Sequence, residues 1–263
     1  MEYKKISVVT ISFNQGKYLL RTMNSIIDQK YPNLEYIIVD PGSSDNSRDI
    51  ILEHKNYFDK IIFEKDSGPA DGLNKGFSFA TGDIFGYLNS DDILYPNVLE
   101  KINLNFCKNN NIDVLSAHGY YIDESDLKIK KIFSNRFNLK QYLYENCVII
   151  QQSTFFSSKI FNKSKGFNVK NNIAWDGELM VDFGRKNANF IVRNEFWSGF
   201  RIYSESISGK EDYKKKLAFD YERLRKISNV RKPHILKKLL HKIIFYISQP
   251  DILLLKLKSK IKL

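Results

Sequence analysis

Cysteine is scarce in this chain: 263 residues hold two, Cys107 and Cys147, forty positions apart. Two thiols without a CxxC spacing make neither a disulfide framework nor a zinc knuckle, and a reducing compartment is expected. The four histidines, His54, His118, His234 and His241, do not gather into a ligand set with them, which argues against a His/Cys metal enzyme. Proline and glycine are few, at 6 and 13, while 43% of residues are hydrophobic, so fibrous and disordered chains are excluded. Long apolar runs are missing too: nothing approaches the roughly 20 residues that cross a bilayer. Met1 to Lys5 leads into a short apolar strand instead of a secretory signal, and a cytoplasmic location is expected. The glycine loops that usually cradle phosphates are absent, with no GxGxxG after the first strand and no GxxxxGK[ST] anywhere, which removes NAD and P-loop readings. Acid, finally, is lacking at the end of the chain, where residues 230–263 set nine Lys/Arg against Asp251 alone. Of the net charge of +11, +8 sits in that tail. Such asymmetry points to a polyanionic partner there, a membrane surface before nucleic acid, because no nucleic-acid motif accompanies the charge.

What is present is an alternation of short β-branched runs and helical patterns, the mark of βαβ units around a mainly parallel sheet. Ile6 to Ser12, Glu35 to Asp40, Lys60 to Phe63 and Asp83 to Leu88 read as strands; Leu19, Met23, Ile26 and Ile27, then 47–54 and 71–80, read as helices. Beyond residue 100 the pattern is less regular. A helix over 96–108, strands over 113–121, 129–133, 152–156 and 190–192, and helices over 139–145 and 178–186 are expected. Two subregions sharing a sheet follow, over 1–95 and 96–229, with the tail from 230 set apart.

Ligands on an open parallel sheet sit beyond the carboxyl ends of its strands. The polar clusters fall there: Ser12, Phe13 and Asn14, then Asp40, then Asp66 with Ser67 and Gly68, then Asn89, Ser90, Asp91 and Asp92. Adjacent carboxylates leaving an apolar strand are hard oxygen donors suited to Mg²⁺ or Mn²⁺, which could bridge a diphosphate. Neighbours on a strand point to opposite faces, so one acid alone should meet the metal; Asp92 is expected to do so, with Asp91 facing the nucleotide. The competing reading is that Ser90, Asp91 and Asp92 only turn the chain before Pro96, and that Asn14, Ser43 and Asp45 only shape turns.

The blocks TISFNQGKYL, SIIDQKYPNLEYIIVDPGSSDNS and KDSGPADGLNKGFSFATGDIFGYLNSDD closely resemble the amino-terminal half of family 2 glycosyltransferases of the GT-A fold. The resemblance is dense over residues 5–95 and thin to about 208. It implies an α/β/α sandwich of seven or eight strands and inverting sugar transfer from a nucleotide-diphosphate donor, usually with Mg²⁺ or Mn²⁺. It also implies that Asp40 reads the base beside a wall of Ser12 and Phe13, that Asp66 and Asn74 lie near the ribose and diphosphate, and that Asp91 and Asp92 inherit the ribose and metal roles. Two departures stand out: Pro41 where the family often has a second acid, and Leu73 where it often has Arg.

Inverting transfer also needs a base to take the acceptor proton. By the same resemblance, AWDGELMVDFGR carries that base at Asp176, with Glu178 and Asp182 behind it and Trp175 as a wall for a sugar ring; the alternative is that Asp176 caps a helix. Gln151 and Gln152 fall on the implied acceptor side, the alternative being exposed polar residues of a strand, and Arg201 and Tyr203 fall where the family often has a diphosphate-contacting motif with His, from which Tyr203 departs. A UDP-sugar donor and a glycan acceptor of surface polysaccharide or oligosaccharide synthesis, carried on lipid, complete the expectation. Its rivals are an inactive nucleotide- or glycan-binding relative and a sugar nucleotidyltransferase, which would need an Arg-containing glycine loop that SFNQGKY lacks.

In the tail, Ile235, Leu239, Ile243 and Ile247 form one helical stripe with Leu236, Leu240 and Ile244 beside it, while Lys237, Lys238, His241 and Lys242 occupy the other side. Residues 233–263 are therefore expected either to lie on an anionic membrane surface, on the inner face of the cell membrane, or to pack the stripe on the domain. After Pro250, Leu255, Leu257, Ile261 and Leu263 alternate with lysines at period two, which predicts no helix there.

Overall fold

The computed structural model describes all residues except Met1, Asn172, Glu205, 207–212 and 262–263. The chain runs β1 (Ile6–Ile11), α1 (Gly16–Ile27), β2 (Leu34–Val39), α2 (Ser47–Glu53), β3 (Lys60–Ile62), α3 (Pro69–Ser78) and β4 (Ile84–Asn89). A short β5 (Ile93–Leu94), α4 (Val98–Lys108), β6 (Val114–Ile122), β7 (Lys128–Ile132) and α5 (Leu139–Leu143) follow. Then come β8 (Thr154–Ser157), α6 (Ser158–Lys163), α7 (Trp175–Arg185), β9 (Phe190–Arg201), α8 (Tyr213–Ile227), α9 (Ile235–Ile247) and α10 (Pro250–Ile261).

The strands form one nine-stranded sheet in the order β3-β2-β1-β4-β8-β6-β9-β5, with β7 on β6. It has more strands than the seven or eight expected, and strands from both halves share it. β3, β2, β1 and β4 are parallel. The chain moves outward from β1 to β3, then α3 carries it back across to β4 on the other side of β1, creating the switch point where α/β sheets open a crevice. β8 is antiparallel to both β4 and β6, and β6 is parallel to β9. The approach to β8 and the carboxyl ends of β4, β6 and β9 are thereby brought to the same end of the sheet.

Side-chain alternation along β1 sends Ile6 and Val8 to one face and Val9 to the other. The first face is packed with Tyr36, Leu88, Leu99, Ile102 and Trp197, the second with Leu73, Phe77, Phe156 and Phe183. α3 lies unusually close on β1 because Gly76 has no side chain: a Cβ there would stand 2.4 Å from Val9 Cγ1. At the front of α3, Gly68 takes φ +133°, a conformation open to glycine, and starts the helix beneath Asp66.

Most expected elements are found, with boundaries shifted by a few residues. Two expectations fail. β9 runs to Arg201 instead of ending at Val192, and residues 250–261 form a helix where period-two alternation argued against one. Leu and Lys are strong helix formers, and Pro250 occupies the helix start, where its missing N–H costs nothing. Lys262 and Leu263 lie outside the described residues.

Candidate active site

A cleft of about 850 Å³ opens at the carboxyl ends of the strands, within the size range of small-ligand sites. One side is built by Ser12 and Phe13 after β1, Pro41 after β2, Lys65 and Asp66 before α3, and Asn89 and Asp91 from β4 onward. Phe13 is 60% exposed, a free aromatic face at the rim. The other side comes from 148–152 before β8, Trp175 and Asp176 at the start of α7, and Tyr213 of α8.

Asp91 and Asp92 diverge: Asp91 takes the cleft side expected of it, while Asp92, expected at the metal, is turned away from the cleft. Asp91 lines the cleft, where its Oδ2 accepts from Tyr203 Oη at 2.8 Å and Gln15 Nε2 at 3.3 Å. Asp92 is fully buried away from it; its Oδ1 accepts the Arg201 backbone N–H at 2.9 Å and its Oδ2 the Gln152 amide at 2.9 Å. Burial raises the Asp91 carboxyl, with Tyr203, Gln15 and the Arg201 charge pulling the other way. Burial and then the neighbouring Asp91 charge push Asp92 far above the usual range. Gln152, placed on the acceptor side by resemblance, spends its amide on Asp92.

Arg201 does not reach the cleft. Its guanidinium is fully buried and donates to the carbonyls of Asp91 at 2.7 Å and Asp123 at 2.6 Å and to the Asp126 carboxylate. A diphosphate role is replaced by an anchoring one: Arg201 pins the turn that presents Asp91. Tyr203, two residues on, makes the contact to the acid.

Asp40 is likewise consumed locally. Its Oδ1 accepts the N–H groups of Gly42 and Ser43 and Arg48 Nε at 3.0 Å, and its Oδ2 takes the Ser43 hydroxyl. The adjoining cleft wall is Pro41, the very departure noted in the sequence. Asn74 clamps the backbone of Phe167, donating to its carbonyl at 2.8 Å and accepting its N–H at 2.9 Å, and does not line the cleft. Asp66 does; burial raises its carboxyl although the Gly68 N–H offsets part of this.

On the far side, α7 begins at Trp175 with Ala174 at its N-cap, so Asp176 is a first-turn residue and not the cap. Its carboxyl lines the cleft and is raised by burial, partly countered by the Gly177 N–H. Neither runner-up competes. Glu178 is gripped by both terminal nitrogens of Arg223 and by Asn168 and Asn171, and Asp182 pairs with Lys186 at 3.2 Å.

Buried polar atoms are ordinarily paired. Ser12 Oγ, Asn89 Oδ1, Gln151 Oε1 and Trp175 Nε1 are buried without a partner among the described residues, and all four residues line this cleft. Their unmet capacity marks a site shaped for a polar ligand. Among the described residues no three His, Cys, Asp or Glu side chains converge on one point. The donor set therefore fits a divalent ion only as a shared guest: Asp91 supplies one hard oxygen, and diphosphate oxygens and water must supply the rest.

The α/β sheet with a crevice at its switch point matches the GT-A class of glycosyltransferases. The chain belongs to that class's family 2: residues 7–165 match the model described as Glycosyl transferase family 2. It is 26% identical over 202 residues to the Staphylococcus aureus poly(ribitol-phosphate) beta-N-acetylglucosaminyltransferase TarP, covering 73% of this chain and 61% of that protein. Other curated relatives are spanned for 31% and 41% of their length. Among solved structures, S. aureus TarS residues 1–349 with UDP-GlcNAc superposes with a TM-score of 0.66 at 18% identity, over 93% of this chain and 73% of that one. The Pyrobaculum calidifontis mannosyltransferase PcManGT with GDP-Man and Mn²⁺ does so at 0.65 and 15%, over 94% and 70%. At those identities the likeness shows the fold.

Proposed function

We propose that this chain transfers a sugar, with inversion, from a UDP-sugar to a glycan acceptor in surface polysaccharide or oligosaccharide synthesis, the acceptor being carried on lipid. The observation that carries the reading is the pair of acids facing one cleft from separate elements, Asp91 beside the donor wall and Asp176 beside Trp175. UDP-GlcNAc in the TarS neighbour and the polymer named for TarP support the donor and acceptor classes.

The nucleotide base lies against Phe13, with Ser12 and Pro41 behind it, and Asp66 serves the ribose end. Asp91 points at the diphosphate, where Mn²⁺ or Mg²⁺, when bound, would share this carboxylate and offset charge on the leaving group. Trp175 offers the sugar ring an apolar wall and its free N–H a hydroxyl to bind. Asp176 accepts the proton of the attacking acceptor hydroxyl; the new bond forms from that oxygen to the anomeric carbon as the bond to the diphosphate oxygen breaks. The nucleoside diphosphate departs with the bonding pair. Asp92 and Arg201 hold the turn beneath Asp91.

Loss of a general base costs about 10² to 10⁴ in rate. Asp176→Asn should therefore abolish measurable transfer while thermal shift still reports donor binding. Retained turnover in that variant would remove the assignment. A nucleotide-sugar screen by thermal shift, with and without Mn²⁺, tests the donor: stabilisation by GDP-sugars in place of UDP-sugars would overturn it.

A further inference from the structure

Helix α9 is packed inside out. A helix on a soluble domain buries its apolar stripe and shows its charges to water. Here the side turned to the domain carries Lys238, whose Nζ meets Glu145 at 3.0 Å, His241, edge-on to Tyr144, and Phe245, the one buried apolar residue of the helix. The Leu and Ile stripe faces away from the protein. Leu236, Leu239, Leu240, Ile243 and Ile247 of α9 and Leu254 of α10 are each between 49% and 71% exposed. The packing alternative for the tail is thus excluded by its orientation.

The hairpin is nevertheless firmly seated. Gln249, at its bend, is buried and accepts the Arg136 backbone N–H at 2.7 Å, and Asp251 pairs with the Arg136 guanidinium at 2.6 Å. That pair occupies the single acid of residues 230–263, so the outward surface presents apolar groups and positive charge. At 3.6 residues per turn, Lys237 and Lys242 fall on opposite flanks of the stripe, both exposed, where their stems can lie along the leucines with the ammonium groups beyond.

We propose that the exposed face of α9 and α10 is a docking surface for an anionic lipid bilayer, with the leucines and isoleucines at the acyl boundary and the flanking lysines at the headgroups. A second copy of this chain would cover the apolar stripe but would bring two tails of +8 together with no acid free to answer them. An anionic bilayer answers both features at once. Docking also sets the cleft close to the membrane: Arg136 and Asn146 touch the hairpin, and Val148, two residues further on, lines the cleft. The proposal stands independently of which donor or acceptor the cleft takes.

The test is sedimentation of the full chain with vesicles of phosphatidylglycerol and phosphatidylcholine, against pure phosphatidylcholine, at low and raised salt. Wild type should pellet with the anionic vesicles and be released by salt, a readout that needs no variant. Leu240→Ser with Ile243→Ser, and separately Lys237→Glu with Lys242→Glu, should each lower the partition constant at least about tenfold. Because these residues are exposed, thermal unfolding and transfer to a soluble acceptor should be unchanged. Wild type remaining in the supernatant, or pelleting equally in the variants, would overturn the proposal. So would a dimer by light scattering that Leu240→Ser with Ile243→Ser dissociates while vesicles are ignored, an outcome that assigns the face to self-association.

Discussion

Asp176 sits in the first turn of α7 with its carboxyl drawn out of water, and desolvation disfavours its charged form more than the Gly177 N–H favours it. A base accepts a proton only when ionised. kcat/KM should therefore fall on the acid side with a midpoint above the ordinary aspartate value of 3.8. A pH–rate profile whose acid limb lies at or below that value would show that another group titrates. At this scale the sequence was legible for Asp91 and not for Asp92. Strand alternation says that Asp91 and Asp92 diverge, yet only the tertiary partners decide which one faces the cleft. Those partners are Arg201, 109 positions away, and Gln152, 60 away. Asp40 is occupied for a local reason: the turn PGS that follows it supplies donors to its carboxylate. Gln15, which joins the Ser90 hydroxyl, Tyr203 and Asp91, carried no signal beyond its place after the first strand.

Among the elements, β9 does what its sequence least announces. Its last residue, Arg201, holds the turn after β4 and the 123–126 turn together and lies over the Tyr18 ring of α1 at 4.7 Å. Removing a buried guanidinium that bonds through all three of its nitrogens strands its partners, at a typical cost of about 3 to 5 kcal/mol. Arg201→Ala should lower the midpoint of thermal unfolding by roughly 10 °C and loosen donor binding in the same step. A shift below about 2 °C would mean that the anchor is dispensable. β9 was read short because Arg193, Asn194 and Glu195 interrupt its apolar run; the strand passes through them with register shifts against β6 near His118. α10 was misread because Leu and Lys alternating after Pro250 satisfy a strand template while their propensities favour a helix. β1, β2 and β4 were legible because each is a short apolar run buried on both faces; β3, the edge strand of three residues, was legible from its Ile pair.

For the molecule as a whole, one sheet carries the catalytic cleft at its carboxyl end and a buried ion cluster at its amino end. Glu35 at the start of β2 accepts from Ser7 of β1 at 2.5 Å, from the N–H and hydroxyl of Thr81 before β4, and from Lys5 at 2.6 Å. Burial alone would raise this carboxyl, but the bonds from Lys5, Ser7 and Thr81 outweigh it and hold it at about 2, below the ordinary 4.5. A group whose folded value is depressed stabilises the fold above its unfolded value and loses that contribution as pH falls through the folded one. The contribution, about 2 kcal/mol once the part-exposed Lys5 is allowed for, is thus complete above pH 4.5 and decays toward pH 2. Glu35→Gln keeps the shape and removes the charge. It should lower stability at pH 7 by about that amount and flatten the acid branch of the stability curve in urea titrations. If wild type and variant lose stability in parallel between pH 5 and 2, the three strands are held at that end by packing of Ile6, Tyr36 and Ile84, and the ion cluster is incidental.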